Sequence, residues 1–243
     1  MKKKSVNFLY IIFILILCSI VYALNYYLNM NKNLRVAHAG GQYLDFDYPN
    51  STRGININKN YIKYFEIDLQ LTKDNRLICL HDPLVGDLKF EKVYDIYIRD
   101  SKKCYDEEIK ELIKQEIYLI TDFKTNNIEG LKYIRNNYND LSKFIPQIYN
   151  IEEYYLVEAM GFDKIIFSLY KLPNTSNETL LNYIDQMNLF AVTMDPVRLR
   201  RGLAHNLKEK KLFTYTHTVN SYLRFIQYKF FYSVDEIYTD NLF

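Results

Sequence analysis

Residues 64–74 have the sequence YFEIDLQLTKD, and LHD follows at residues 80–82. The alternation of apolar and polar residues is typical of a strand, and it places Glu66 and Asp68 on the same face, two residues apart. Two adjacent carboxylates repel each other unless a cation lies between them. The pattern therefore predicts a metal site on this strand, although alternating acidic residues also occur on an ordinary solvated face.

The link between this strand and His81 is too short for a helical crossover to a parallel strand. We therefore expect residues 69–80 to form a hairpin arm that doubles back on the strand. Such an arm returns His81 to the level of Glu66.

Two other apolar runs end in polar residues. LRVAHAGG at residues 34–41 places His38 at the end of a short buried strand, and QEIYLITDFK at residues 115–124 ends in alternating Asp122 and Lys124. In parallel barrels the carboxyl ends of the strands meet at one mouth, where catalytic residues lie. We therefore expect these side chains to converge with the first carboxylate pair, although a lone histidine after a strand is also commonly structural.

The wider pattern alternates strands with helices and predicts a parallel α/β fold in one domain of about 210 residues. It predicts nine strands, one more than a barrel of eight needs, and we interpret residues 189–194 as an irregular segment over the barrel. The chain ends three residues after Asp240, so no helix is expected after the last strand. The predicted strands are 34–38, 64–69, 76–81, 117–122, 144–148, 164–169, 189–194, 213–216 and 236–239.

Seven sequence blocks together resemble the glycerophosphodiester phosphodiesterase family, within the phosphatidylinositol-phospholipase-C-like barrels. The resemblance extends over residues 34–241, and the order of the blocks makes it specific. The blocks are AHAGG, YPNST, FEIDLQLTKDNRLICLHD, LITDFK, PQIY, THTVN and YTDN.

This resemblance implies a TIM-type (β/α)8 barrel and a metal-dependent phosphodiester hydrolase. It implies that His38 and His81 act as general acid and base, without showing which is which. The other implied site residues are three carboxylates for a divalent cation, Glu66, Asp68 and Asp122, and a lysine that faces the substrate phosphate, Lys124.

The chain departs from the family pattern at three places. The family commonly has arginine after the first histidine, whereas this chain has Ala39, so a phosphate contact must come from Lys124 or Arg53. Asn50 stands where the family's PENT block commonly has a glutamate ligand, and its carbonyl oxygen is still a donor. Asp122 stands where glutamate is common. We assign Asn50, Arg53 and Lys124 to the substrate phosphate. Similar changes occur in the sphingomyelinase-D-like group, whose cation site has three carboxylates.

The expected ligand set is all oxygen, which suits Ca²⁺ or Mg²⁺ and is a poor match for zinc. The expected substrate is a small-molecule, lipid or polymer phosphodiester. Two alternatives remain: a phospholipase-D-like lyase that forms a cyclic phosphate, and a non-catalytic barrel that binds a phosphorylated glycan or lipid. Nucleic acid is not an expected partner, because the formal charge is only +2.

The N-terminus carries three lysines, at positions 2–4, before an uncharged apolar run at residues 8–24. The run is long enough to span a membrane, and the lysines are expected on the inner side. Residues 1–24 are therefore predicted to be a membrane anchor, residues 25–33 a tether, and residues 34–243 an extracytoplasmic phosphodiesterase-like barrel. A secretory signal cleaved after VYA at residues 21–23 is the alternative. Lipidation of Cys18 is not favoured, because Leu17 stands where a small residue is expected.

Several other polar residues have structural interpretations. Cys79 lies in an apolar strand run and is predicted to be a buried thiol, so a disulfide with Cys104 is not expected. His205 and His217 are predicted to be structural or to lie at the rim. Asp240 is expected to line the mouth and to close the barrel without a catalytic role.

Overall fold

The computed structural model describes residues 2–29, 32–41, 50–100 and 103–241. The chain divides into two compact units, Met1–Lys32 and Asn33–Phe243. In the first unit, helix α1 extends over Lys2–Asn29, and its stretch Tyr10–Tyr27 is apolar and long enough to cross a membrane. A signal sequence has the same properties. Because α1 continues to Asn29, the first part of the predicted tether is helical, and residues 30 and 31 lie outside the described part.

The second unit contains a closed barrel of eight parallel strands, which confirms the predicted TIM-type fold. The strands in chain order are β1 (Val36–Ala37), β2 (Tyr64–Leu71), β3 (Leu77–Cys79), β4 (Tyr118–Phe123), β5 (Phe144–Ile148), β6 (Ile166–Ser168), β7 (Ala191–Met194), β8 (Phe213–Thr216) and β9 (Glu236–Thr239). All except β3 belong to the barrel. Pairing of β1 with both β2 and β9 closes it.

Helices surround the barrel and connect successive strands. After α1 they are α2 (Thr52–Asn58), α3 (Phe90–Val93), α4 (Asp106–Leu112), α5 (Asn127–Asn137), α6 (Ile151–Ala159), α7 (Asn177–Ile184), α8 (Pro196–Arg200), α9 (Leu203–Glu209) and α10 (Tyr222–Tyr232). Asparagine or serine side chains cap the N-termini of several of them. Each cap accepts the backbone N–H of the residue three positions later, which fixes where the helix begins. These caps are Asn126, Asn150, Ser176 and Ser221.

Apolar and aromatic side chains fill the barrel interior, so it is a packed core below the mouth. Each barrel strand contributes one residue to this cluster, because alternate residues of a strand point inward. Its buried members are Val36, Tyr64, Ile120, Ile145, Ile166, Ala191, Tyr215 and Tyr238.

Strand β3 accounts for the ninth predicted strand. It pairs antiparallel with the end of β2, with Leu69 opposite Cys79 and Leu71 opposite Leu77, which confirms the predicted hairpin arm. The interpretation of residues 189–194 was wrong, because residues 191–194 form β7 between β6 and β8. The arm lies outside the barrel, so β7 is needed to complete the eight.

The prediction of a free Cys79 thiol was also wrong, because Cys79 and Cys104 form a disulfide with a Cα–Cα distance of 5.0 Å. The segment that ends at Tyr105 returns to the hairpin arm. The Cys79 N–H donates to the Cys104 carbonyl at 2.7 Å, and Ile78 bridges Tyr105. These contacts bring together two cysteines that are 25 residues apart in the sequence.

Removal of this disulfide is expected to lower the free energy of unfolding by about 3 kcal/mol, because it closes a 25-residue loop. For a barrel of this size the melting temperature should fall by roughly 6–12 °C. Thermal unfolding of the Cys79→Ala/Cys104→Ala double variant checks this, with Cys18→Ser as the control. An unchanged melting temperature, together with two reactive thiols in the wild-type barrel, would contradict the pairing.

Candidate active site

A cavity of about 380 Å³ lies at the carboxyl ends of the barrel strands. The structure brings five of the predicted site residues to its lining, together with a largely aromatic wall contributed by the later strands. The predicted residues are His38, Glu66, His81, Asp122 and Lys124, and the wall includes Tyr149, Tyr170 and Tyr238.

The predicted carboxylates form one acidic triad, defined as Glu66, Asp68 and Asp122. One oxygen from each lies within 4.8 Å of the others. The first two share a face of β2, and the register of β2 with β4 places Asp68 directly opposite Asp122. This spacing and donor set could hold a hard divalent cation such as Ca²⁺ or Mg²⁺.

Burial and mutual repulsion control the charge of the triad. Burial raises the pKa of Glu66, and the neighbouring Asp68 raises it further. Burial also acts to raise the pKa of Asp68, but Lys124 and Asn50 outweigh it and the pKa is lowered. A cation bound between the two carboxylates would let Glu66 ionise as well, so the residues present fit the predicted group.

Lys124 forms ion pairs with two members of the triad. Its Nζ lies 2.5 Å from Asp68 Oδ1 and 2.7 Å from Asp122 Oδ2. Burial acts to lower the pKa of Lys124, but the two carboxylates outweigh burial and raise it. The sequence assigned this lysine to the substrate phosphate, and the structure places its ammonium group against the carboxylates at the cavity wall.

His38 is held by Asp240, a carboxylate that sequence analysis placed at the mouth without a catalytic role. Its Nδ1 lies 2.7 Å from Asp240 Oδ1, and its Nε2 lies 3.9 Å from Glu66 Oε2. Asn220 donates to the other oxygen of Asp240 at 2.5 Å. Burial acts to lower the pKa of His38, but the Asp240 hydrogen bond and nearby carboxylates raise it to about 9. Asp240 follows β9, and the closure of β9 against β1 explains the contact.

The turn after β1 also ties His38 to the triad. Ala39, Gly40 and Gly41 have positive φ angles, and this turn directs the Ala39 N–H at Glu66 Oε2, 2.8 Å away. Ala39, which stands where the resembled family commonly has arginine, therefore donates its backbone N–H to a carboxylate of the triad.

His81 reaches the cavity from the hairpin arm and remains more than half exposed. Its Nδ1 contacts the carboxylate of the adjacent Asp82. Gln70 fixes the loop that carries it, because its amide nitrogen donates to the carbonyls of Leu80 and His81 at 2.9 and 3.1 Å. Its amide oxygen accepts the Val85 N–H at 3.0 Å. Sequence analysis gave Gln70 no role, although its place on the triad strand, two residues after Asp68, was visible.

Two residues assigned to the phosphate do not line the cavity as the structure describes it. Asn50 is fully buried, donates to Asp68 Oδ2 at 2.7 Å and accepts the Asp68 N–H at 2.8 Å. Its carbonyl oxygen is therefore used within the protein. Arg53 is exposed on α2. Of the assigned phosphate residues, the structure brings Lys124 to the cavity.

Asp240→Asn is expected to lower kcat roughly tenfold to a hundredfold, because an amide orients His38 Nδ1 less well than a carboxylate and favours the wrong tautomer of the imidazole. The loss should be smaller than the loss on removal of the His38 imidazole itself. Since Asp240 lies outside the triad, KM and the cation concentration that gives half-maximal turnover should change little. Steady-state kinetics check this, with the exposed Asp163→Asn as the control. An unchanged kcat would leave Asp240 with only the barrel-closing role.

Several solved structures share this fold. A glycerophosphodiester phosphodiesterase from Thermotoga maritima is 14% identical with a TM-score of 0.64, and the match covers 84% of this chain and 93% of that one. A phosphodiesterase from Oleispira antarctica, solved with the product sn-glycerol-3-phosphate, is 14% identical with a TM-score of 0.64, covering 84% and 92%. A glycerophosphoryl diester phosphodiesterase from Parabacteroides distasonis is 16% identical with a TM-score of 0.64, covering 85% and 82%.

Comparison of the sequence alone identifies no relative. No protein-family model matches the chain, and no curated protein matches it. At 14–16% identity the structural matches establish the barrel fold.

Proposed function

We propose that this chain is a metal-dependent phosphoric diester hydrolase of the glycerophosphodiester phosphodiesterase type. The observation that carries the proposal is the convergence of His38, His81 and two members of the acidic triad, Glu66 and Asp122, on one cavity at the barrel mouth. The third member, Asp68, lies beside them, with one oxygen of each carboxylate within 4.8 Å of the others. The fold that the chain shares with solved glycerophosphodiester phosphodiesterases supports the same reaction class.

A phosphodiester resists attack because its phosphate is anionic and its leaving alkoxide is poor. A divalent cation, Ca²⁺ or Mg²⁺, supplies positive charge to the non-bridging oxygens when bound. Glu66, Asp68 and Asp122 would hold it. Lys124 also lines the cavity, beside two of these carboxylates, and would add a further positive charge at the phosphate.

The two histidines would move the protons. Asp240 binds Nδ1 of His38, which leaves Nε2 as the atom on the side of Glu66. His81 approaches from the hairpin arm, with Nδ1 held by Asp82. One imidazole would accept the proton of the attacking hydroxyl, and the other would donate a proton to the leaving oxygen.

A substrate screen tests the proposal. The purified barrel is incubated with glycerophosphodiesters, lysophospholipids and glycerol phosphate polymers, with Ca²⁺ or Mg²⁺ and with chelator, and products are identified by phosphorus NMR. Cation-dependent formation of a phosphomonoester supports hydrolysis. A cyclic phosphate as the end product would show the lyase alternative, and no turnover of any substrate would favour the non-catalytic barrel.

We further propose that the barrel acts outside the cytoplasmic membrane, anchored by α1. The lysines at positions 2–4 favour an inner N-terminus. The disulfide between Cys79 and Cys104 is a second argument, because disulfides persist in oxidising compartments outside the cytoplasm.

Protease added to intact cells is therefore expected to digest the barrel, because the domain would be accessible at the outer side. Immunoblotting of the chain before and after treatment measures this, with a cytoplasmic protein as the control for lysis. Full protection of the barrel in intact cells, with digestion only after permeabilisation, would contradict the orientation.

A further inference from the structure

A lysine on the aromatic wall of the cavity is not used by the mechanism above. Lys171 ends the short 3₁₀ turn Leu169–Lys171, directly after β6, and its Nζ lies 3.9 Å from the centre of the Tyr149 ring. Both residues line the cavity. The Tyr149 hydroxyl donates to Asp122 Oδ1. This chain of contacts connects the Lys171 ammonium to the acidic triad through one aromatic ring.

The two cavity lysines differ in their partners. Lys124 pairs with two carboxylates, whereas no carboxylate oxygen in the described part of the chain lies within 4.0 Å of Lys171 Nζ. Two polar, uncharged side chains, Gln147 and Ser168, also line the cavity beside the aromatic wall. His217 also lines it, and burial and the nearby His38 lower its pKa, which favours the neutral imidazole. Lys171 is therefore a positive charge that faces the cavity without an internal counter-charge among these residues.

We propose that Lys171 forms a subsite for a second anionic group of the substrate, a phosphate or carboxylate on the alcohol next to the diester. This inference rests on the proposed function. An anion beside the ammonium gains a favourable charge interaction.

The same geometry disfavours a cationic alcohol. The face of Tyr149 is the surface that would bind a quaternary ammonium group, and the Lys171 ammonium already covers it. A choline-type substrate would have to displace that ammonium and lie beside its charge. The subsite should therefore select between anionic and cationic alcohols.

The test compares four substrates that share the glycerophosphodiester. Glycerophosphoglycerol has no second charge, its phosphorylated form and glycerophosphoglycerate add a phosphate or a carboxylate, and glycerophosphocholine adds a cation. The wild-type barrel should prefer the two anionic substrates over glycerophosphocholine by about tenfold in kcat/KM, because the exposed Lys171 ammonium attracts the anions and repels the cation. The preference should weaken as salt rises from low to high ionic strength.

Lys171→Met should lower kcat/KM for the anionic substrates about two- to fivefold, mainly through KM, the size expected for one exposed charge pair. It should raise kcat/KM for glycerophosphocholine, because the Tyr149 face becomes accessible. Lys132→Met is the matched control, since Lys132 is exposed on α5 and pairs with Glu129; it should leave all four values unchanged. A response to the phosphate alone or to the carboxylate alone identifies which anion the subsite takes and also supports it.

A fall by the same factor for all four substrates, with a lower melting temperature, would show a structural lysine and overturn the inference. The inference would also be overturned if turnover depends on the cation but Lys171→Met leaves the relative kcat/KM values of the charged substrates unchanged. Absence of turnover of every substrate by the wild-type barrel would instead overturn the proposed function, on which the inference rests.

Discussion

His38→Ala and His81→Ala are each expected to lower kcat by about 10²–10⁴-fold, which corresponds to an increase of roughly 3–5 kcal/mol in the activation free energy. Proton transfer at the attacking and leaving oxygens depends on the two imidazoles, whereas Glu66, Asp68 and Asp122 would hold the cation. Cation-dependent thermal stabilisation should therefore remain nearly intact in both variants.

Paired measurements of rate and stability on each variant distinguish a catalytic from a structural histidine. His205→Ala is the control, because His205 is exposed on α9. A structural histidine would lower the melting temperature and leave turnover per folded molecule little changed. Near-full turnover by one variant on a verified substrate would remove that histidine from the mechanism, and near-full turnover by both would favour the binding barrel.

Asp68→Asn is expected to abolish activity and to remove cation-dependent stabilisation, because one of three negative ligands is lost while the side-chain shape is kept. A cation at a hundredfold over its dissociation constant should add about 2.7 kcal/mol to the free energy of unfolding of the wild-type barrel. Thermal unfolding with increasing Ca²⁺ or Mg²⁺ measures this gain. The variant retains a neighbour for Asn50 and leaves Lys124 paired with Asp122.

Glu129→Gln is the control for the cation experiment, since Glu129 is an exposed acid on α5, outside the triad. It should keep the full cation-dependent gain. Unchanged cation affinity in Asp68→Asn would place the metal elsewhere and remove Asp68 from the site.

Local pattern was enough to predict one half of the site. The alternation on β2 determines that Glu66 and Asp68 share a face, and the short link to His81 determines that the arm doubles back. Convergence of the strand ends then follows from the parallel barrel, which places Asp122 opposite Asp68.

Contacts between distant segments were not predictable in this way. His38 and Asp240 are 202 residues apart, and they meet only because β9 closes the barrel against β1. The disulfide depends on the contacts of Cys104 and Tyr105 with the arm, which no periodic pattern shows. The antiparallel arm β3 already left eight candidate strands for the barrel, so the pattern did not require residues 189–194 to lie outside it.

Side-chain reach accounts for the remaining differences. Lys124 follows Asp122 by two residues, directly after the end of β4, and its long, flexible stem lets the ammonium reach both Asp122 and Asp68. Asn50 lies beside Asp68 and uses both ends of its amide there. Residue type and spacing allow either a phosphate contact or a carboxylate contact, and in the structure both side chains contact carboxylates.

The dependence of turnover on free cation concentration is the most direct test of the proposed mechanism. The chelated barrel should be inactive on a verified glycerophosphodiester, and Ca²⁺ or Mg²⁺ should restore turnover along a saturable curve. The midpoint of that curve should coincide with the midpoint of cation-dependent thermal stabilisation, and Asp122→Asn should shift both together. Full turnover in the presence of chelator, or restored turnover that Asp122→Asn does not affect, would contradict cation-assisted chemistry at the acidic triad.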